Sequence, residues 1–278
     1  MRRVIRRDRA RRGPAGSETR VRRKKTTAKL DSAYPALGCV RVEGSLDISD
    51  EVGNVWALLL AAGAGERLGI DRPKAFAVLR GRPLLAESLD RLDRSSWVDA
   101  IVVAAAPGWE EPSILLSEEL ATTKVVSCVT GGATRAESVR AALSDVPEDA
   151  FVVLVHDAAR PLVDDSVIER VLGPLGEGFD GAVPVLRVPD TVKRVEHGVV
   201  TETIARGGLV TAQTPQAFLA AALRRAFSGD LAGATDCASL VERAGGRVAV
   251  VEGDRRLLKV TTLEDLAVVE SWLREPLS

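Results

Sequence analysis

Histidine, cysteine and aromatic residues are all scarce in this chain. It has two histidines (His156, His197) and three well separated cysteines (Cys39, Cys128, Cys237) with no C-x-x-C pair, which leaves no donor set for a His/Cys zinc site. An odd, scattered trio of thiols cannot build a disulfide framework either, so reduced, cytoplasmic chemistry is the expectation. Long hydrophobic runs are missing as well. The strongest, Val55 to Ala62, is strand-sized and far short of the ~18 residues of a membrane span. The first residues contain no apolar stretch of the kind that marks a secretory signal. Aromatics make up only 4%, yet 46% of the 278 residues are hydrophobic, enough for one sizeable core or two small ones.

A net excess of one charge is also missing, with 38 Lys/Arg against 39 Asp/Glu, but the balance hides a segregation. Residues 1–30 carry 13 Lys/Arg and only Asp8 and Glu18 as acids, whereas the remainder has 25 bases against 37 acids. An acidic body argues against nucleic acid spread over the fold, and leaves room for a local basic pocket around a phosphorylated substrate. The basic arm has three readings by composition: a disordered tail, a transit segment, or a polyanion-binding arm.

Residues 1–50 lack sustained periodicity and read as a disordered basic arm and linker, leaving one folded domain over 51–278. In that domain short β-branched runs alternate with helix-length amphipathic segments. Strands are predicted at Val55–Leu60, Ala100–Ala105, Lys124–Val129, Ala150–His156, Gly181–Val185 and Arg247–Val251. Helices are predicted at Leu84–Arg94, Thr134–Ser144, Asp165–Leu172, Gln216–Ala226, Asp236–Ala244 and Leu263–Leu273. The alternation implies an α/β fold with a single Rossmann-like, mostly parallel sheet flanked by helices, and ligands at the carboxyl ends of its strands. Leu186 to Thr211 breaks the rhythm: strand-like pairs flank His197-Gly198, a protruding β-hairpin that needs something to pack on. A second subunit would serve.

The first strand runs into Ala61-Ala62-Gly63-Ala64-Gly65-Glu66-Arg67-Leu68-Gly69, followed by Pro73-Lys74. Glycines after a strand let backbone N–H groups approach a phosphate chain, and Arg67 and Lys74 would neutralise its oxygens. A plain glycine turn with two surface cations is the competing account. The spacing G-x-G-x-x-x-G differs from the dinucleotide fingerprint, and no G-K-[ST] follows as in a P-loop. Further on, Gly131-Gly132 follows a strand, with Ser138 one turn into a helix where its hydroxyl can simply bond its own backbone. Asp157 ends a strand and Arg160 offers a guanidinium fork, although capping or a local ion pair would explain both. His156, on the opposite side of its strand from Asp157, reads as a packed core histidine.

Six blocks in order carry a resemblance: Ala61-Ala62-Gly63-x-Gly65-x-Arg67 with Pro73-Lys74; Gly131-Gly132-Ala133-Thr134-Arg135-x-x-Ser138; Val155-His156-Asp157-Ala158-Ala159-Arg160-Pro161; Asp190-Thr191-Val192-Lys193; Gln213-Thr214-Pro215-Gln216; and Lys259-Val260-Thr261. Over roughly residues 54–273 the chain resembles the 2-C-methyl-D-erythritol 4-phosphate cytidylyltransferase family of the non-mevalonate isoprenoid pathway. The resemblance implies transfer of a cytidylyl group from CTP to a polyol phosphate, with Mg²⁺ held mainly by the CTP phosphates and no metal site built by the protein. It implies Arg67, Lys74 and Lys259 as catalytic cations. The CTP site would comprise Ala61, Ala62, Gly63, Ala64, Gly65, Arg67, Lys74, Gly131, Gly132, Ser138, Asp157 and Ala158. Asp157, Arg160, Thr191, Arg206, Thr214 and Lys259 would surround the acceptor phosphate, with Thr191 and Arg206 reaching it from the hairpin of the other subunit of a homodimer. Two positions depart from the family pattern: Leu60 stands where proline is usual, and Cys237 where an acid is usual. The rival readings are a cytidylyltransferase for another polyol phosphate such as ribitol 5-phosphate, and a nucleic-acid-binding or regulatory protein acting through its basic arm.

Overall fold

A computed structural model of the chain describes residues 27–30, 40–43 and 54–274. Fourteen strands are described: β1 (Thr27–Leu30), β2 (Val40–Glu43), β3 (Val55–Ala61), β4 (Val78–Leu79), β5 (Arg82–Pro83), β6 (Ala100–Ala105), β7 (Val125–Thr130), β8 (Val152–Asp157), β9 (Gly181–Arg187), β10 (Val192–Glu196), β11 (Val199–Ile204), β12 (Val210–Ala212), β13 (Gln216–Leu219) and β14 (Val248–Glu252). The α-helices are α1 (Leu84–Arg94), α2 (Glu110–Glu119), α3 (Arg135–Leu143), α4 (Asp165–Leu172), α5 (Ala220–Phe227), α6 (Cys237–Arg243) and α7 (Leu263–Trp272).

The central sheet runs β12-β9-β13-β8-β3-β6-β7, with β14 also on β9. Its middle, β8-β3-β6-β7, is parallel, and β14 pairs parallel with β9. Strands β12 and β13 enter antiparallel. The parallel strands are covered on both faces, which is why β6 (AIVVAA) and β8 (VVLVHD) are buried throughout and read as unbroken apolar runs rather than alternating ones. One face packs Leu85, Leu89 and Leu92 of α1 and Val167, Ile168 and Val171 of α4 against Ala57 and Leu59 of β3. The other packs Val139 of α3, Leu223 of α5 and Leu240 of α6 around Leu58. This layering points the carboxyl ends of β3, β6, β7 and β8 toward one rim, where the glycine-rich turns lie.

Most predicted elements stand within a residue or two, but three features differ. The helix expected over Gln216–Ala226 begins only at Ala220, because Gln216–Leu219 is claimed by the sheet: Gln216 opposes Val155 and Leu219 opposes Val152. A ladder to a strand some sixty residues earlier outweighs the local helical pattern. Helix α2 is absent from the expected elements, since its apolar residues trace no clear stripe. Within the stretch read as a disordered arm, β1 and β2 pair antiparallel, from Thr27 opposite Glu43 to Leu30 opposite Val40; the rest of that arm lies outside the described residues. The expected hairpin is present. Thr211 pairs with Leu186 at its base, and β10 and β11 form the arm around His197 (φ 49°) and Gly198 (φ 81°), the pair of left-handed residues that a two-residue hairpin turn of matching twist requires.

Candidate active site

The turn after β3 is shaped by close approach. Gly65 has φ 84°, and a Cβ there would come within 3.0 Å of the Lys74 backbone nitrogen; a single bond from Lys74 N–H to the Gly63 carbonyl, 2.9 Å, ties the cation-bearing segment to the glycine turn. Gly131 is glycine because a Cβ would meet Ala62 Cβ at 2.5 Å, so the loops after β3 and β7 touch directly. Two cavities open at this rim. The smaller, about 290 Å³, is lined by Gly63, Ala64, Gly65, Glu66, Arg67, Lys74 and Thr261. The larger, about 510 Å³, shares Gly63, Ala64 and Lys74 with it and extends past Ala62, Pro107, Gly131, Gly132 and Ser138 to Asp157 and Lys259. Lys74 is therefore on the wall between two chambers.

The charges here are arranged around Asp157, which β8 delivers to the rim. Its Oδ1 accepts from Arg135 Nε at 3.0 Å and its Oδ2 from Lys259 Nζ at 2.7 Å. Burial disfavours ionisation of this carboxyl, but Arg135 first and Lys259 next outweigh it and hold the group well below the usual carboxylate range. Among the described residues no carboxylate pairs with Lys74 in this way. Burial, reinforced by the nearby Lys259 charge, pulls its ammonium down from 10.5 to about 8. A half-buried cation facing other cations is poised for an anion, and a polyphosphate supplies one.

His156 is fully buried; its Nε2 lies 3.0 Å from the Arg160 carbonyl and its Nδ1 3.1 Å from Thr214 Oγ1, which also accepts from the Asp157 N–H at 3.1 Å. Burial lowers the imidazole to about 4, so it is neutral at pH 7 and serves to pack two loops together. Ser138 Oγ accepts from Gly132 N–H at 3.1 Å and donates to the Thr134 carbonyl at 3.0 Å, behind a capping box in which Thr134 and Glu137 start α3. The serine thus bonds its own loop and helix.

Residues 55–275 match the family described as 2-C-methyl-D-erythritol 4-phosphate cytidylyltransferase. The chain belongs to that family. It is 45% identical over 226 residues to the 2-C-methyl-D-erythritol 4-phosphate cytidylyltransferase of Nocardia farcinica, covering 81% of this chain and 96% of the relative. Among solved structures it is similar to the 2-C-methyl-D-erythritol 4-phosphate cytidylyltransferase of Thermus thermophilus, with 34% identity, a TM-score of 0.65, and 80% and 100% of the two chains covered. The Francisella tularensis enzyme of the same name is 32% identical, with a TM-score of 0.68 and 79% and 99% covered.

Within this cytidylyltransferase frame, Ala62, Gly63, Ala64, Lys74, Gly131, Gly132, Ser138, Asp157 and Lys259 meet at the larger cavity, and Gly65 and Arg67 at the smaller. Ala61 and Ala158 are buried at the strand ends and line neither. Arg160 turns away, donating to the Leu257 carbonyl, and Thr214 is buried on His156. Thr191 and Arg206 are exposed at the arm, where Arg206 donates to the Pro189 carbonyl. Arg135 stands in its sequence block without an assigned role, although the sequence holds a signal: a cation in the first turn of a helix opposes the helix dipole and calls for a specific acid, here Asp157. Its Nη1 also lies 3.4 Å from Cys237 Sγ, so the departure at Cys237 puts a neutral thiol, pushed up to about 11 by burial, beside a guanidinium. Leu60 keeps its place in the β3 ladder opposite Ala104 and Asp157.

Proposed function

We infer that the chain transfers the cytidylyl group of CTP to 2-C-methyl-D-erythritol 4-phosphate, giving 4-diphosphocytidyl-2-C-methyl-D-erythritol and pyrophosphate. The observation that carries the reading, beside the family match, is the placement of Lys74 between two chambers that meet at the glycine turn, one bounded by Arg67 and the other by Lys259. An acceptor phosphate oxygen attacks the α-phosphorus of CTP, and the bond from that phosphorus to the bridging oxygen breaks, releasing pyrophosphate. The phosphate is already ionised at pH 7, so no general base is required, in keeping with a rim where the nearby histidine is buried and neutral. What the reaction needs is neutralisation of the phosphate charge in line with attack, together with positioning of two anions that repel each other. Lys74 and Arg67 serve the triphosphate, and Lys259, held by Asp157, serves the junction with the acceptor. Gly131, Gly132 and Ser138 form the wall for the base.

Mg²⁺ fits this rim only as an ion brought in by the nucleotide. Among the described residues no group of three His, Cys, Asp or Glu side chains converges, and Asp157, the one carboxylate lining the larger cavity, already engages Arg135 and Lys259. Bound to the triphosphate, it adds neutralising charge on the phosphate oxygens.

The acceptor phosphate is completed by Thr191 and Arg206 of a second subunit. Both are exposed on an arm that also exposes Val195 and Val200, opposite each other across the hairpin, and Val199 on the other face, apolar groups suited to a two-fold partner. Two buried free thiols, Cys128 and Cys237, suit a reducing cytoplasmic setting, and no helix among the described residues is long and apolar enough to cross a membrane. The test is pyrophosphate release with each of the four nucleoside triphosphates against methylerythritol phosphate and ribitol 5-phosphate, with and without Mg²⁺. Turnover only with CTP, methylerythritol phosphate and the metal is expected. A preference for ribitol phosphate would change the acceptor, and equal use of ATP would overturn the assignment.

A further inference from the structure

Lys74 is held in an unfavourable place. It is partly buried, which disfavours its charge most, and the Lys259 and Arg67 cations at the rim add to that, with the Asp157 carboxylate pulling the other way. The backbone that carries it is a single 3₁₀ turn, Lys74–Phe76, with no side-chain cap, entered from the exposed residues Asp71 and Arg72. Before a polyphosphate arrives, repulsion favours withdrawal of this short turn from the rim, opposed by the Lys74 N–H bond to the Gly63 carbonyl, by the buried Ala75 and Ala77, and by what packs behind Phe76.

What lies behind it is an aromatic contact. The Phe76 ring packs on Trp109 with centroids 4.6 Å apart and planes tilted by 48°. Trp109 is itself anchored: its N–H donates to the Ala106 carbonyl at 2.9 Å, and its carbonyl accepts from Ser113 N–H and Ser113 Oγ at 3.1 and 2.8 Å, fixing it to the first turn of α2. It also lies two residues after Pro107, which lines the larger cavity. The pair therefore joins the Lys74 turn to the loop after β6, two walls of one cavity that share no other contact of this kind among the described aromatic residues. Tilted ring pairs contribute beyond their buried area and fix orientation.

We propose that the Phe76–Trp109 ring pair is a positioning element for Lys74, holding its turn at the rim against the surrounding cations so that the ammonium meets the phosphates in place. Trp109 touches no reacting atom; it acts through Lys74. The inference rests on the cytidylyltransferase reading for its kinetic consequences, but the placement of Lys74 can be measured without turnover.

Two measurements on Trp109→Ala, Trp109→Phe and Phe76→Leu test it, each variant first checked for a normal circular dichroism spectrum. The first is competitive acetylation of the unliganded protein with acetic anhydride across pH, the Lys74 peptide being followed by mass spectrometry. The wild-type midpoint is expected near 8. Trp109→Ala and Phe76→Leu should move it up by about one unit or more as the ammonium regains solvent and escapes its cationic neighbours, and Trp109→Phe should restore it. The second is a double-mutant cycle on pyrophosphate release. Trp109→Ala should lower kcat about tenfold with the KM for the acceptor little changed, and should cost little further in a Lys74→Ala background. An unmoved Lys74 midpoint in folded Trp109→Ala protein would overturn the proposal even if no substrate were turned over. Full additivity in the cycle would overturn it too, leaving the ring pair a plain packing contact. Failure of the wild-type protein to use CTP, with the midpoint shifts as expected, would instead overturn the functional reading alone.

Discussion

The strand-end rim and the β10–β11 arm both carry cations, but they hold them differently. At the rim, Asp157 binds Arg135 and Lys259 through opposite oxygens while 9% exposed, so each charge is fixed by another that lies far along the chain. On the arm, Arg194 pairs with Glu202 and Lys193 with Thr203, both across the hairpin and both exposed, and Arg206 bonds only a nearby backbone carbonyl. Exposed pairs of that kind contribute little to stability, whereas breaking a buried one leaves a charge without compensation. The difference teaches which residues are committed before ligand arrives. Arg135 and Lys259 are fixed in advance by Asp157, whereas the arm cations are presented outward.

The largest effect expected from that contrast is on rate. Lys74→Ala or Lys259→Ala should lower kcat by about 10²–10³-fold, by analogy with removal of one donor from a site of developing charge. Stability should stay intact in the first and fall somewhat in the second, because Asp157 then keeps only Arg135. Pyrophosphate release together with a thermal melt checks this; near-normal kcat in a folded variant would remove that residue from the chemistry.

Next comes stability. Asp157→Asn should destabilise the fold by about 3–5 kcal/mol, because Arg135 and Lys259 lose their shared partner. The matching pH dependence has a definite sign. The Asp157 pKa is depressed by folding, so its contribution is complete above the ordinary carboxylate value of 3.8 and is lost as pH falls through that value toward the lower one of the folded state. Urea titrations between pH 7 and pH 3 should therefore show a steeper acid loss in the parent than in Asp157→Asn, and equal slopes would deny the carboxylate its role.

The arm gives the third test. Arg206→Ala should raise the acceptor KM more than the CTP KM and leave monomer stability unchanged. At acceptor concentrations far below the raised KM, where both variants are nearly silent, an equal mixture of Lys74→Ala and Arg206→Ala chains, allowed to exchange subunits, should recover about a quarter of the parental rate, since half the dimers are mixed and each has one complete site. No recovery after demonstrated exchange would return the arm to a packing role within one chain. The smallest effect belongs to the N-terminal arm: a chain lacking residues 1–50 should keep turnover within about twofold, although it loses the β1–β2 ladder.

Much of the rim was legible in advance because its determinants are local. Gly63, Gly65 and Lys74 announce a close-packed turn after one strand and Gly131 a second after another, by residue type and position, and β6 and α1 could be bounded to the residue from their apolar patterns. The partners were not legible. Arg135 and Cys237 meet across 102 positions, Asp157 and Lys259 across another 102, and Gln216–Leu219 enters the sheet through pairings that no local period encodes. Trp109 gave no sign of its function because an aromatic residue at a helix start is ordinary until its neighbour is known.

The buried His156 also settles a direction of donation. The Arg160 carbonyl can only accept, so the proton of the neutral ring sits on Nε2, and Nδ1 must accept from the Thr214 hydroxyl. That hydroxyl has then spent its single hydrogen, and its oxygen receives the Asp157 N–H. The chain of donors runs one way, from the Asp157 backbone through Thr214 and the ring to Arg160. As long as that polarity stands, Thr214 has a lone pair and no proton to offer, so it can steady the strand end beside a phosphate but cannot donate to one.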